Sequence, residues 1–197
     1  MKFYHGALAL DVPQGVYYPR EDSLLLAKAL ENTELKDKRS MEIGCGSGFL
    51  SIVMARRNAN VTAVDISENA VNASNDNAKK NAVALTCFQS DLFSAVTGKF
   101  DLIVFNPPYL PEDDEAKYLG TEKQQLYGGG GGREVIQEFI SQSASHLAEG
   151  GRLLLLISSL TGEKEVTGLF HTSGFKAKVV AREKIQWEEL MVIEAIP

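Results

Sequence analysis

Short apolar runs alternate along this chain with stretches of helical spacing, and the alternation sets the expected fold. Arg39–Ile43, Val61–Val64, Ala84–Gln89, Phe100–Phe105 and Arg152–Ser158 read as buried strands bounded by glycine, proline or charged residues. Between them, apolar positions recur at helical intervals over 24–31, 49–57, 67–80, 134–147 and 163–172. Asp22 or Ser23 is the expected N-cap of the first helix, and Ser67, with Glu68 just after it, that of the third. Gly150-Gly151 is the expected stop for the helix over 134–147, and Gly174 for the one over 163–172. Lys176–Ala181 and Leu190–Ile196 read as a closing antiparallel pair. Residues 1–15 give a weak signal, a short strand or an irregular arm over the site. The whole predicts an α/β fold: a seven-stranded, mostly parallel, Rossmann-like sheet with helices on both faces and a C-terminal antiparallel hairpin.

No repeat or linker divides the 197 residues, so one domain is expected over 1–197, with an N-terminal arm and helix to residue 38 and a catalytic core over 39–197. Hydrophobic residues make up 44%, and no apolar run approaches the ~18 residues of a membrane span. The first residues lack the order of a signal peptide. Cys45 reads as a small loop residue and Cys87 as a strand core position. Neither has metal or redox spacing, so no metal site and a cytoplasmic location are expected. A net charge of −6 argues against broad nucleic-acid affinity but leaves room for a local basic groove.

Candidate chemistry gathers at the strand ends. Glu42-Ile-Gly-Cys-Gly-Ser-Gly48 lies where the first strand turns into a helix, a place where glycines let a ligand approach the backbone. The spacing is G-x-G-x-G, not that of dinucleotide folds, and no Lys-Ser or Lys-Thr follows, so a P-loop is excluded. Glu42 would repel a pyrophosphate but suits a cation. Asp65, 21 residues after Gly44, ends the next strand, where its carboxylate can accept from both hydroxyls of a ribose. Asp91, after the third strand, can accept from an adenine amino group. Taken singly, each is also a plain turn residue. As an ordered set they point to S-adenosylmethionine, which carries a sulfonium and an ammonium and no phosphate.

The fourth strand runs into Asn106-Pro-Pro-Tyr109. Two prolines end ladder pairing, and proline keeps the residue before it extended. The Asn106 amide therefore stands in a stiff turn at a strand's carboxyl end, with the Tyr109 ring just beyond. Alone, the segment also reads as an ordinary strand and Pro-Pro turn.

Glu42 to Gly48, Asp65, Asp91-Leu92 and Asn106 to Tyr109, in that order, resemble a class I methyltransferase. Val16-Tyr-x-Pro-x-Glu-Asp-Ser23 and Gly128-Gly-x-x-Gly-Arg-Glu134 resemble signatures of the short archaeal and eukaryotic branch of the HemK-type release-factor glutamine methyltransferases. The bacterial branch carries an extra N-terminal helical domain, which a chain of this length is expected to lack. The resemblance implies that Ser23, Glu42, Gly44, Gly46, Asp65, Ile66, Asp91, Leu92 and Asn106 contact the cofactor, with Asn106 also facing the substrate. It implies methylation of the glutamine of a Gly-Gly-Gln loop on the amide nitrogen, and a small zinc-binding activator subunit paired along the edge strand at 84–89. Gly128 to Gly132 reads either as a linker or as a substrate-side loop.

In this chemistry the Asn106 side-chain oxygen and the Pro107 carbonyl accept the two N–H bonds of a planar target, and Tyr109 packs on its plane. No His, Cys or Ser base is needed; His146 and His171 read as helix-end residues. An adenine amino group presents the same planar NH₂, so a DNA or RNA adenine N6-methyltransferase is an alternative. The acidic run Glu112 to Glu115, just past the pocket, disfavours it by repelling a phosphate backbone. A non-catalytic scaffold subunit is the third reading, which the intact Asn106 to Tyr109 segment disfavours.

Overall fold

The computed structural model describes residues 1–110 and 132–197; the acidic run at 112–115 and the glycine run at 128–131 lie outside the described residues. The sheet is centred on β3 (Arg39–Ile43), flanked in parallel by β4 (Asn60–Asp65) and β6 (Phe100–Phe105). β5 (Thr86–Gln89) adds in parallel to β4 and forms one edge. Beyond β6 lie β7 (Leu147–Ser158), parallel to it, then β9 (Glu189–Ile196) and β8 (Lys176–Lys184), each antiparallel to its neighbour. The order β5-β4-β3-β6-β7-β9-β8 is the seven-stranded sheet with a closing hairpin that the alternation predicts.

Both faces are covered, which is why the central strands read as unbroken apolar runs. On β6, Leu102 and Val104 join one core cluster while Ile103 and Phe105 join the other. The first cluster takes Leu26 from α1 (Glu21–Glu31), Ile52 from α2 (Phe49–Arg56) and Ala73 from α3 (Glu68–Lys80). The second takes Phe139 from α4 (Glu134–Ser143) and Phe170 from α5 (Glu163–Thr172). Each large side chain so buried contributes about 1.5–3 kcal/mol. Among the described residues, no helix is long and apolar enough to cross a membrane.

The N-terminal arm is a hairpin of β1 (Lys2–His5) and β2 (Leu8–Asp11). Its outer strand is finished by two asparagines of α3 and its C-terminal turn. Asn77 exchanges hydrogen bonds with the Asp11 backbone at 2.8 Å each way, and Asn81 does the same with Ala9 at 3.0 and 3.2 Å. Backbone groups that a free edge would leave to solvent are thereby satisfied. Asn77 Nδ2 also donates to the Ser47 carbonyl at 2.9 Å, so the arm is tied directly to the glycine loop.

Three sequence expectations are corrected. α1 begins at Glu21 with Arg20 as N-cap and no side-chain cap bond; Asp22 and Ser23 sit inside the first turn, buried, their polar atoms turned to other work. β5 starts at Thr86 rather than Ala84. The helix over 134–147 ends at Ser143, a 3-10 turn covers Ala144–His146, and β7 already starts at Leu147. Gly150-Gly151 therefore lies inside a strand. The register jumps from Phe100↔Leu147 to Leu102↔Arg152, and a Cβ on Gly151 would fall 2.8 Å from the Phe100 carbonyl oxygen. The glycine pair is a bulge that permits close backbone approach. By contrast, Ser67 caps α3 as expected, its Oγ accepting from the Ala70 N–H at 3.4 Å.

Candidate functional site

The carboxyl ends of β3, β4 and β6 open into a cavity of about 590 Å³. Every residue the sequence nominates lines it: Ser23, Glu42, Gly44, Gly46, Asp65, Ile66, Asp91, Leu92, Asn106, Pro107 and Tyr109. No lysine or arginine is among its described lining residues.

The glycine loop adopts the turn its composition allows. Gly44, Gly46 and Gly48 have φ of +64°, +51° and +81°, values that side-chain-bearing residues rarely take. The Cys45 N–H donates to the Val64 carbonyl at 3.0 Å, and the Gly48 N–H to the Cys45 carbonyl at 2.7 Å. Asp65 fastens the loop from the next strand, one oxygen accepting from Gly46 N–H and the other from Ser67 N–H, each at 2.9 Å. Each carboxylate oxygen keeps a second lone pair for a ligand hydroxyl. Burial pushes the Asp65 carboxyl upward, and the backbone donors hold it down in part. Asp91 is exposed at the rim, while Leu92 is buried at φ +42°. Ile66 is 54% exposed although large and apolar, a surface that suits a flat ring.

Glu42 is buried beneath the loop and accepts from the Ser51 N–H at 2.7 Å and from the Ser51 hydroxyl. Burial pushes its carboxyl from the ordinary 4.5 up to about 8, against the lowering effect of those two donors. In the ligand-free protein the folded chain therefore holds this proton up to about pH 8, the unfolded chain only to about 4.5. The stability it contributes is complete below the lower value and lost as pH rises through the upper one, at about 1.4 kcal/mol per pH unit in between. Denaturant titrations from pH 6 to 8 should show wild type losing stability relative to Glu42→Gln, which cannot titrate. Parallel curves for the two proteins would contradict this.

Asn106 stands where β6 stops. Its Nδ2 donates to Asp22 Oδ2 at 3.1 Å and to Ser23 Oγ at 3.4 Å. Its Oδ1 is buried with no partner among the described residues, at a lining position of the cavity. Buried carbonyl oxygens are seldom left unpaired, so this one marks a place for a donor from outside. Tyr109 is half-buried, and its backbone carbonyl accepts from Thr161 Oγ1 at 3.3 Å. Burial, helped by the negative charge of Asp22, drives the hydroxyls of both Tyr17 and Tyr109 up, so both remain donors.

Sequence reasoning missed two members of the site. Asp22 was expected to cap a helix; it lines the cavity and pairs with Asn106. Tyr17, quoted only as part of a motif, donates to Asp22 at 2.6 Å. The signal available was a run of helix-start residues longer than one cap requires. The cysteines are also closer than their spacing suggests: Cys45 Sγ and Cys87 Sγ lie 3.6 Å apart, because β4 and β5 bring Cys87 beside the loop.

The family model of the methyltransferase small domain matches residues 20–123. The "Putative protein N5-glutamine methyltransferase" of Methanocaldococcus jannaschii is 46% identical over 91% of this chain and 91% of its own length. The release factor glutamine methyltransferase of Lactococcus lactis is 32% identical over 79% of this chain but only 61% of its own length. Among solved structures, the E. cuniculi Mtq2–Trm112 complex responsible for methylating the eRF1 translation termination factor contains a chain similar to this one. The TM-score is 0.75 at 26% identity, covering 92% of this chain and 98% of that one.

Proposed function

This chain belongs to the methyltransferase family that the small-domain model describes, and from that premise we propose that it methylates the side-chain amide nitrogen of the Gly-Gly-Gln glutamine in a translation release factor, with S-adenosylmethionine as donor. The relatives' named activities support the substrate, and the single observation that carries the chemistry is the unpaired, buried Oδ1 of Asn106.

The lining fits such a donor. Its described residues include none of the basic side chains that a phosphate-bearing cofactor would call for, and they gather Glu42, Asp65 and Asp91 around a left-handed glycine turn. Asp65 would take the ribose hydroxyls, Glu42 the cationic end, giving up its proton as that charge arrives, and Ile66 with Leu92 the adenine faces. When bound, the donor supplies an electrophilic methyl group on a sulfonium. The remaining work falls to the chain.

A carboxamide nitrogen is a weak nucleophile because its lone pair is delocalised into the carbonyl. Asn106 Oδ1 and the Pro107 carbonyl accept its two N–H bonds, fix its plane and offset the positive charge that grows on nitrogen as the new bond forms. Tyr109 packs against the amide plane and limits water. Holding the reactants in line is itself a large part of the acceleration. The test is to incubate the protein with labelled donor and either purified release factor or nucleic acid, locating the methyl by mass spectrometry. Label on the loop glutamine supports the reading; label only in nucleic acid rejects it in favour of adenine.

The proposal extends to a partner. The structural relative works as a complex with Trm112, and here β5 is an exposed sheet edge whose residues carry neither charge nor proline. Such an edge recruits a further chain. We propose a small, zinc-binding activator subunit along it. Co-expression with such a subunit should raise soluble yield and activity; a chain that is monomeric, soluble and fully active alone would sink the idea.

A further inference from the structure

The proposed chemistry needs the Asn106 oxygen, not its nitrogen, at the substrate, and the two ends of a carboxamide have nearly the same shape. We infer that Asp22 is a positioning residue whose carboxylate decides which end of the Asn106 amide is left unpaired for the substrate; the inference rests on the proposed amide chemistry.

Asp22 is 3% exposed, and four donor contacts converge on its two oxygens. Oδ2 takes the Tyr17 hydroxyl at 2.6 Å and Asn106 Nδ2 at 3.1 Å. Oδ1 takes the Ser23 N–H at 2.5 Å and the Ser23 hydroxyl at 3.2 Å. An ionised carboxylate only accepts. Because Ser23 Oγ spends its proton on Asp22, it too turns a lone pair towards Asn106, 3.4 Å away. Both protein groups on the inner side of the Asn106 amide are therefore acceptors. Turning the amide over would set its oxygen against two lone-pair donors and leave Asp22 short of a proton partner. Only this orientation satisfies Asp22 and Ser23, and it leaves Oδ1 as the end of the amide without a protein partner among the described residues.

The carboxylate also acts on the amide it holds. A negative charge behind the NH₂ group draws electron density towards Oδ1, making it a better acceptor as the substrate nitrogen becomes positive. Tyr17 completes the device by holding Asp22 from the other side. Its hydroxyl is kept protonated by the burial and neighbouring charge described above, so it stays a donor. The arrangement joins the first turn of α1 to the turn that follows β6, sites 84 residues apart.

The test uses the full chain carrying Asp22→Asn, whose amide can accept from the Asn106 NH₂ or donate to its oxygen and so no longer selects one end. Turnover on release factor at saturating donor should fall by roughly 10- to 100-fold, while binding of S-adenosylhomocysteine changes by less than about threefold. With ¹⁵N-asparagine labelling, the Asn106 side-chain NH₂ pair should shift and lose its protection from exchange. Tyr17→Phe should shift the same pair in the same direction with a smaller loss of turnover, which covers the case in which Asp22→Asn does not fold. Unchanged turnover, an unchanged NH₂ pair, or a loss fully matched by weaker S-adenosylhomocysteine binding would overturn the assignment; the last would make Asp22 a cofactor ligand. Should wild type leave the release factor unmethylated, the functional reading fails, and the NH₂ pair decides the role of Asp22 on its own.

Discussion

Asn106→Ala should lower methyl transfer by on the order of 10²- to 10³-fold, with donor binding changed by no more than roughly threefold. The size follows from what is removed: one fixed acceptor in a water-poor site, aimed at a nitrogen that gains positive charge only as the reaction proceeds. Such a contact is worth far more in the transition state than in the ground state. The fold should tolerate the change. Asp22 loses one donor at 3.1 Å but keeps the Tyr17 hydroxyl and both Ser23 groups, so no buried carboxylate is left alone. Turnover under saturating donor, measured beside calorimetric binding of S-adenosylhomocysteine, separates the outcomes. Equal losses in turnover and binding would mean that Asn106 merely helps to hold the cofactor.

Gly48→Ala should destabilise the protein by about 3 kcal/mol, lowering the melting temperature by roughly 6–12 °C. Two independent costs meet there. The residue has φ +81°, where a Cβ costs about 1–2 kcal/mol. That Cβ would also fall 2.5 Å from Ser74 Oγ and 3.0 Å from Ser74 Cα, on the fully buried face of α3. The hydroxyl can rotate away, but the helix backbone cannot. Gly98→Ala is the control, since φ there is +91° with nothing within 4 Å of the added carbon. It should show the conformational cost without the clash. Equal, small shifts for the two variants would contradict the packing argument. Because Gly48 opens α2 behind the glycine loop, donor affinity should fall with Gly48→Ala and not with Gly98→Ala.

Most of the sheet was legible because it is covered on both faces. Leu102 to Phe105 and Leu153 to Ile157 can be apolar without interruption only when each alternate residue meets a helix layer. The glycine loop was legible for a related reason: three glycines in five residues after a strand have few uses other than a tight turn. The failures share a different cause. Local rules give Asp22 and Ser23 to a cap and Gly150-Gly151 to a helix end, and both rules are sound for a helix in isolation. In the folded chain, Asp22 is claimed by a residue 84 positions away, and the glycines by the Phe100 carbonyl across the sheet. The nearness of Cys45 and Cys87 was invisible likewise, since it depends on strand order rather than spacing. The start of β5 was set too early because the chain before it is still tied back to the end of α3. Ala82 N–H donates to the Lys79 carbonyl and Val83 N–H to the Ala78 carbonyl, so pairing with β4 begins only at Thr86.

One structure would test the central claim most directly: the protein crystallised with S-adenosylhomocysteine and a peptide carrying Gly-Gly-Gln. The account predicts the glutamine amide nitrogen within about 3.2 Å of both Asn106 Oδ1 and the Pro107 carbonyl oxygen, and facing the sulfur over the loop at 44–48. A glutamine bound elsewhere, or a sulfur turned away from Asn106, would contradict it.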